Sequence, residues 1–206
     1  YLAAAGFDEI MTYSFYGEKE IAQAMLPLNH HLELENPLSP DLRYLRMTPT
    51  PVMLHKVKEN LRHFDQFDIF EWGSVFGKNP ETGVIGEVKT VALMSVFPKN
   101  SKQGDTAPVG GQAFFYMKGK AEAFLESLHI DKGTIIFEQP EKFTEIPAVK
   151  HLHPARSACI CYNGKAIGII GEFHPKTLKV FGLESRVAMA GFIVDDLQNL
   201  QKKEII

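Results

Sequence analysis

Gln66-Phe67-Asp68-Ile69-Phe70-Glu71-Trp72-Gly73-Ser74-Val75-Phe76 sets the architecture of this chain. Bulky side chains stand at both odd and even positions, so a strand here is covered on two faces. Gly77-Lys78-Asn79-Pro80-Glu81-Thr82-Gly83 follows, dense in turn residues, and marks a reversal. Glu87 to Phe97 then returns, with Val91-Ala92-Leu93-Met94-Ser95-Val96-Phe97 nearly all apolar. The reading is a long antiparallel hairpin, buried on both sides and therefore central to a sheet.

Upstream lies a helix candidate, Val52 to Phe64. Met53, Leu54, Val57, Leu61 and Phe64 share one face, opposite Lys56, Lys58, Glu59 and Arg62. Thr48 or Thr50 is suited to cap it, and Pro49 or Pro51 to its first turn, where a missing N–H is no loss. Before it, Asn36-Pro37-Leu38-Ser39-Pro40 is a shaped loop, because proline biases the preceding residue toward extended backbone. Loop, short extended piece and amphipathic helix read on their own as an ordinary capped helix, with a docking edge as the alternative. Further back, His31 to Glu35 alternates as a half-buried strand, Glu18 to Met25 is a short helix, and Glu9 to Phe15 is a strand. Leu2 to Ala5 is a helix end capped by Gly6.

Downstream, Ser101 to Gly111 is a loop, and Phe114 to Ile130 is a helix with Met117, Ala121, Phe124, Leu125 and Leu128 inward. Thr134 to Glu138 is a strand. Leu152 to Tyr162 and Lys165 to Glu172 flank Asn163-Gly164, the strongest hairpin signal in the chain. Pro175 to Phe181 is a helix capped by Gly182, and Val187 to Val194 is apolar on both faces, a central strand. Helices interspersed among hairpins give an α+β fold, a mainly antiparallel sheet flanked by helices rather than a doubly wound one.

The bounds are simple. The chain has 206 residues, 45% of them hydrophobic, enough for a sizeable core, and its net charge of −3 gives no global pull on nucleic acid. No apolar run spans a bilayer, so no membrane is expected. Cys159 and Cys161 lie two apart, where a disulfide is strained, which points to a reduced, cytoplasmic protein. Tyr1 opens the chain without an initiator methionine, as expected of a piece of a longer polypeptide. His151, His153 and His174 are the candidates for a metal site, but no acidic or histidine ligand stands at helical spacing nearby, so hydrogen-bonded structural histidines are expected. No nucleophile elbow, Walker loop, dinucleotide fingerprint or CxxC pair occurs, and Glu71 and Glu172 are not marked as an acid–base pair.

Gly6-Phe7-Asp8-Glu9-Ile10-Met11-Thr12-Tyr13-Ser14-Phe15, Asn36-Pro37-Leu38-Ser39-Pro40 and Ile69-Phe70-Glu71-Trp72-Gly73-Ser74-Val75-Phe76 resemble the β subunits of bacterial phenylalanine–tRNA ligases. So do Leu152-His153-Pro154-Ala155-Arg156-Ser157-Ala158 and Ile167-Gly168-Ile169-Ile170-Gly171-Glu172-Phe173-His174-Pro175, in the same order. Ala155 departs from the family's usual glycine. The resemblance implies the catalytic-like module, with the class II aminoacyl-tRNA synthetase fold over residues 1–197. Residues 198–206 are then a linker toward a carboxy-terminal domain outside this sequence.

Class II sites hold ATP with arginines, one on the motif 2 strand and one opening the motif 3 helix; the planar guanidinium fork suits phosphate. No arginine occurs between Arg62 and Arg156; Gly77 stands after the motif 2 candidate, and Val187 to Val194 runs into Asp195 and Asp196. The resemblance therefore implies a module with no catalytic residues, no metal and no cofactor of its own. It would pair with the catalytic α subunit, where ATP and Mg are expected, in an α2β2 assembly that meets tRNA as a whole. Pro37, Pro40, Leu45, Arg46, Met53 and Val57 are the expected subunit interface. His153, Arg156 and Glu172 are expected to form a structural polar cluster. Phe192 and Met189 are expected to fill the nucleotide region, leaving no open cleft. The alternatives are a working ligase whose Arg43, Arg46 and Arg156 converge on ATP, and a metal enzyme built on the three histidines.

Overall fold

A turn of 3-10 helix, Ala3–Ala5, ends at Gly6, whose φ of 89° is left-handed and suits the residue. It opens the computed structural model, which describes residues 1–79, 81–98, 112–140 and 150–204. In chain order follow β1 (Asp8–Glu9), β2 (Phe15–Tyr16), α1 (Glu18–Gln23), β3 (Tyr44–Leu45) and α2 (Thr50–Asn60). The expected hairpin is β4 (Phe67–Lys78) with β5 (Ile85–Phe97), paired from Phe67↔Val96 to Lys78↔Ile85. Then come α3 (Gln112–Ser127), β6 (Ile135–Glu138), β7 (Leu152–Tyr162), β8 (Lys165–Phe173), α4 (Pro175–Val180), β9 (Arg186–Ile193) and α5 (Val194–Glu204). The loop expected from 101 to 111 lies outside the described residues.

Seven strands form one sheet in the order β1-β4-β5-β9-β8-β7-β6, antiparallel throughout except that β1 runs parallel to β4. The hairpin and β9 are central, as their two-sided hydrophobicity requires. On one face, Met117, Ala121, Phe124 and Leu125 of α3 and Leu197 and Leu200 of α5 cover Leu93, Ile160, Ile170 and Ala190. On the other, Met53, Leu54 and Val57 of α2 and Leu178 of α4 cover Ile69, Met94, Ile169 and Met189. The Thr48 hydroxyl accepts the Thr50 N–H at the start of α2 (3.3 Å). A smaller unit, β2 with β3 and α1, encloses Tyr16, Ile21, Ala24, Leu26 and Tyr44.

Three readings change. The strand expected from Glu9 to Phe15 splits into β1 and β2 in different sheets, because Thr12 between them turns inward to Glu71. The strand expected at His31 to Glu35 shrinks to one bridge, Glu33↔Tyr44, while the His31 ring turns into the small unit. The boundary expected at Leu197 falls inside α5, whose Leu200 is buried.

Candidate functional site

Arg46 leaves β3 and passes under the sheet. Its N–H donates to the Ser14 carbonyl (2.9 Å) and its own carbonyl accepts from Phe76 (2.7 Å), clamping the segment between β2 and β4. The side chain is 2% exposed, as is Glu71 on β4. Nη1 donates to Glu71 Oε1 (2.5 Å) and to the Thr12 hydroxyl (2.9 Å), while Nε donates to the Ser74 carbonyl (2.9 Å). The Thr12 hydroxyl in turn lies 2.8 Å from Glu71 Oε2. Gly73 lies directly against the guanidinium, where a Cβ would stand 2.2 Å from Nη2. A glycine at 73 is what lets an arginine cross the strand. Beside this node, His31 Nδ1 faces the Pro27 carbonyl (2.9 Å), which only accepts, so Nδ1 carries the proton. Nε2 then accepts from the Tyr16 hydroxyl (2.7 Å), which itself accepts the Met47 N–H (2.9 Å). Burial holds His31 below its ordinary pKa and pushes Tyr16 up.

Next to the node, the α2 face of the sheet carries a cavity of about 150 Å³. Met47, Thr48 and Thr50 approach from above; Val75, Ala92, Ile169, Met189 and Gly191 are among the residues of the sheet below. Among the described residues, none that lines it is ionisable. The expectation of a filled region is corrected here. Met189 forms wall rather than plug, and the Phe192 ring packs on Phe124 of α3 across the sheet (5.3 Å). Ala92, Ala166, Gly168 and Gly191 are too small to close the space.

At the far end of the sheet, β7 and β8 lose register between Leu152↔Phe173 and Ser157↔Gly171, so His153 to Arg156 arch out of the ladder. The arch sets Arg156 on the buried carboxylate of Glu172, which also takes Arg186 of β9 (2.5 Å). His153 and Arg156 flank Glu172 but do not share it: the His153 ring stacks on His174, centroids 5.6 Å apart and 19° between planes. Burial, then Arg156 and His174, lower the His153 pKa. Arg186 is the partner that sequence reasoning missed. Arg43 pairs with Glu33 on the surface, Arg46 with Glu71 inside and Arg156 with Glu172 on the α3 side, so the three do not converge on one ligand. The His151 ring is fully buried, and among the described residues no group of three His, Cys, Asp or Glu is placed to hold a metal.

The fold matches two structures of pyrrolysyl tRNA synthetase from Desulfitobacterium hafniense, with TM-scores of 0.72 and 0.70 at 15% and 12% identity. Each match covers 98% of this chain, and 65% or 66% of the other. This is the class II tRNA synthetase fold. The family model described as "Phenylalanyl tRNA synthetase beta chain CLM domain" matches residues 1–193. The chain belongs to that family. Among curated relatives, the phenylalanine–tRNA ligase β subunits of Bacillus licheniformis and Bacillus subtilis are 36% and 34% identical over 89% and 87% of the chain. That of Vibrio cholerae is 34% identical over 90%. The chain spans 22%, 21% and 22% of these three relatives' lengths.

In this CLM domain the expected interface set divides. Arg46, Met53 and Val57 are 2%, 0% and 0% exposed and belong to the interior: the first because Glu71 draws it in, the others because α2 turns its apolar face to the sheet. Pro37 and Leu45 are half-buried and Pro40 is exposed. Leu38 is 95% exposed, Met11 92% and Tyr13 73%. Met11, Tyr13, Asp41 and Leu42 line a common hollow with Phe15, Val52 and His55. The sequence carried one signal for the buried node: Glu71 stands between bulky Phe70 and Trp72 on a strand covered on two faces, and a buried carboxylate needs a cation.

Proposed function

We propose that this domain is a non-catalytic scaffold of a phenylalanine–tRNA ligase β subunit, paired with the α subunit that attaches phenylalanine to its tRNA with ATP. The charge of the open face carries this reading. The cavity has no ionisable lining residue, and Arg46, adjacent to cavity-lining Met47, is already held by Glu71. A triphosphate needs uncommitted cations. ATP and Mg are then bound by the α subunit, in an α2β2 assembly that meets tRNA as a whole. Cys159 and Cys161 are both buried, and the domain works in the reducing cytoplasm on this reading.

The docking surface of this reading is the exposed apolar edge of Met11, Tyr13, Leu38 and Pro40, since aromatic and aliphatic side chains left in water are what an interface covers. Mixing the chain with a phenylalanine–tRNA ligase α subunit should give a complex on size exclusion. Met11→Asp with Leu38→Asp should weaken it by about tenfold or more without moving the melting temperature, because both side chains stand in solvent. Failure to associate at micromolar concentration, or association indifferent to the double substitution, would overturn the proposal.

A further inference from the structure

Gly191 occupies the middle of β9, a central strand, where glycine weakens pairing and contributes no packing. Nothing in the backbone asks for it: its φ is outside the left-handed region that Gly6, Gly83, Gly164 and Gly182 occupy. Nothing in the packing asks for it either. A Cβ at 191 would meet Met189 Cε at 3.6 Å and Ile169 Cγ2 at 3.8 Å, ordinary van der Waals contact. Its neighbours differ. A Cβ at Gly168 would strike the Gly191 carbonyl at 2.5 Å, and one at Gly171 would strike Leu152 and Ser157 at 2.8 Å, so the fold itself demands those two. What glycine at 191 does is keep the cavity open, because its missing side chain would project among Ala92, Ile169 and Met189.

The chemistry of the walls limits what enters. Among the described residues, none of the lining carries a charge, so neither a carboxylate nor an ammonium finds a partner there. The Thr48 hydroxyl already donates to Thr50 Oγ1 (2.9 Å), and the Thr90 hydroxyl to the Gly73 carbonyl (3.2 Å). A few threonine oxygens remain as acceptors within an otherwise apolar wall. A volume of about 150 Å³ holds one aromatic ring, and an apolar cavity of that size takes such a ligand rather than ordered water. We propose that the Gly191 cavity is a binding site for a small uncharged molecule of single-ring size, aromatic with at most one hydroxyl or N–H. The proposal stands apart from the pairing with an α subunit.

Phenol is the probe, with benzoate as its charged counterpart, each titrated into the full 206-residue chain and followed by ligand-observed NMR. Phenol should bind saturably, with Kd on the order of a millimolar or tighter for so few atoms, and benzoate at least about tenfold more weakly. Gly191→Leu should abolish saturable binding while the melting temperature holds or rises, because the new side chain fills the void. Ala166→Ile, on a different strand of the same lining, is the second filling variant and should do the same if Gly191→Leu folds poorly. Non-saturable phenol binding, equal affinity for benzoate, or unchanged binding in a folded filling variant would overturn the assignment. So would displacement of phenol by an added α subunit, which would make the cavity a socket for a protein side chain.

Discussion

Removing either half of the Arg46–Glu71 pair strands a charge inside the protein, and it also strands Thr12 and the Ser74 carbonyl. Breaking such a buried pair from one side costs on the order of 3–5 kcal/mol, so Arg46→Met and Glu71→Gln should each lower the urea midpoint severely. The double change Arg46→Met with Glu71→Leu should cost less than either single change, since an apolar pair has no unmet charge. A double variant as unstable as the sum of the singles would contradict this account. His151 gives a second residue-scale expectation. Its ring is fully buried, neither ring nitrogen has a hydrogen-bond partner among the described residues, and burial, then Lys150, lowers its pKa to about 4. The folded state therefore resists a proton that the unfolded chain accepts near the ordinary value of about 6.5. That contribution is present in full above the unfolded pKa and is lost as pH falls from there through 4, by about 3 kcal/mol. His31 and His55, also lowered by burial, act in the same direction. Urea melts at pH 7 and pH 4.5 should diverge less for His151→Phe than for the parent; an unchanged divergence would remove His151 as the cause.

Among the elements, two glycines in one hairpin strand pair separate local from global strain. Gly164 turns the β7–β8 hairpin at φ 77° behind Asn163 at 48°, the geometry of a two-residue turn with both centres left-handed. Gly164→Ala should cost about 1 kcal/mol, a conformational effect confined to the turn. Gly168→Ala pushes a Cβ onto the Gly191 carbonyl of β9 and forces two central strands apart, so its cost should exceed about 2 kcal/mol. Thermal melts giving the reverse order would refute the close approach. These hairpins were legible in the sequence because their signals are local: two-sided apolar runs around 66–97, and Asn-Gly between β-rich runs. The parallel contact of β1 with β4 was not, because Asp8↔Ile69 joins residues far apart in the chain and two residues carry no period. The candidate site divides in the same way. Arg156 with Glu172 could be anticipated from adjacent strands, whereas Arg186 arrives from β9 and Arg46 crosses over a glycine, and neither crossing leaves a spacing to read. The cavity was hidden for a related reason. Apolar residues such as Met189 announce burial, but not whether their neighbours on adjacent strands leave a gap.

At the scale of the whole molecule, the sheet keeps the class II fold while, among the described residues, the cavity on its open face is lined by no ionisable group. Arg46 is the guanidinium nearest that face by sequence, and Glu71, Thr12 and Ser74 hold it. At the end of β9, α5 begins with Asp195 and Asp196, of which Asp196 pairs with Lys165. Each charged hydrogen bond to phosphate contributes roughly 1.5–3 kcal/mol, so on the proposed reading a site without two such arginines should bind ATP about a hundredfold or more weakly. Calorimetry should therefore find no sub-millimolar Mg-ATP binding to the chain, and pyrophosphate exchange with phenylalanine present should be undetectable. Gly77→Arg makes the expectation sharper. A Cβ at 77 meets nothing within 4 Å, so the variant should fold, and the restored guanidinium is free to reach a phosphate. It should still not rescue binding, because among the described residues the cavity lining offers no second cation for the triphosphate. Sub-millimolar Mg-ATP heats in the parent would refute the non-catalytic reading outright. Such heats in Gly77→Arg alone would locate the whole deficit at one strand position and show the remaining face to be a competent nucleotide site.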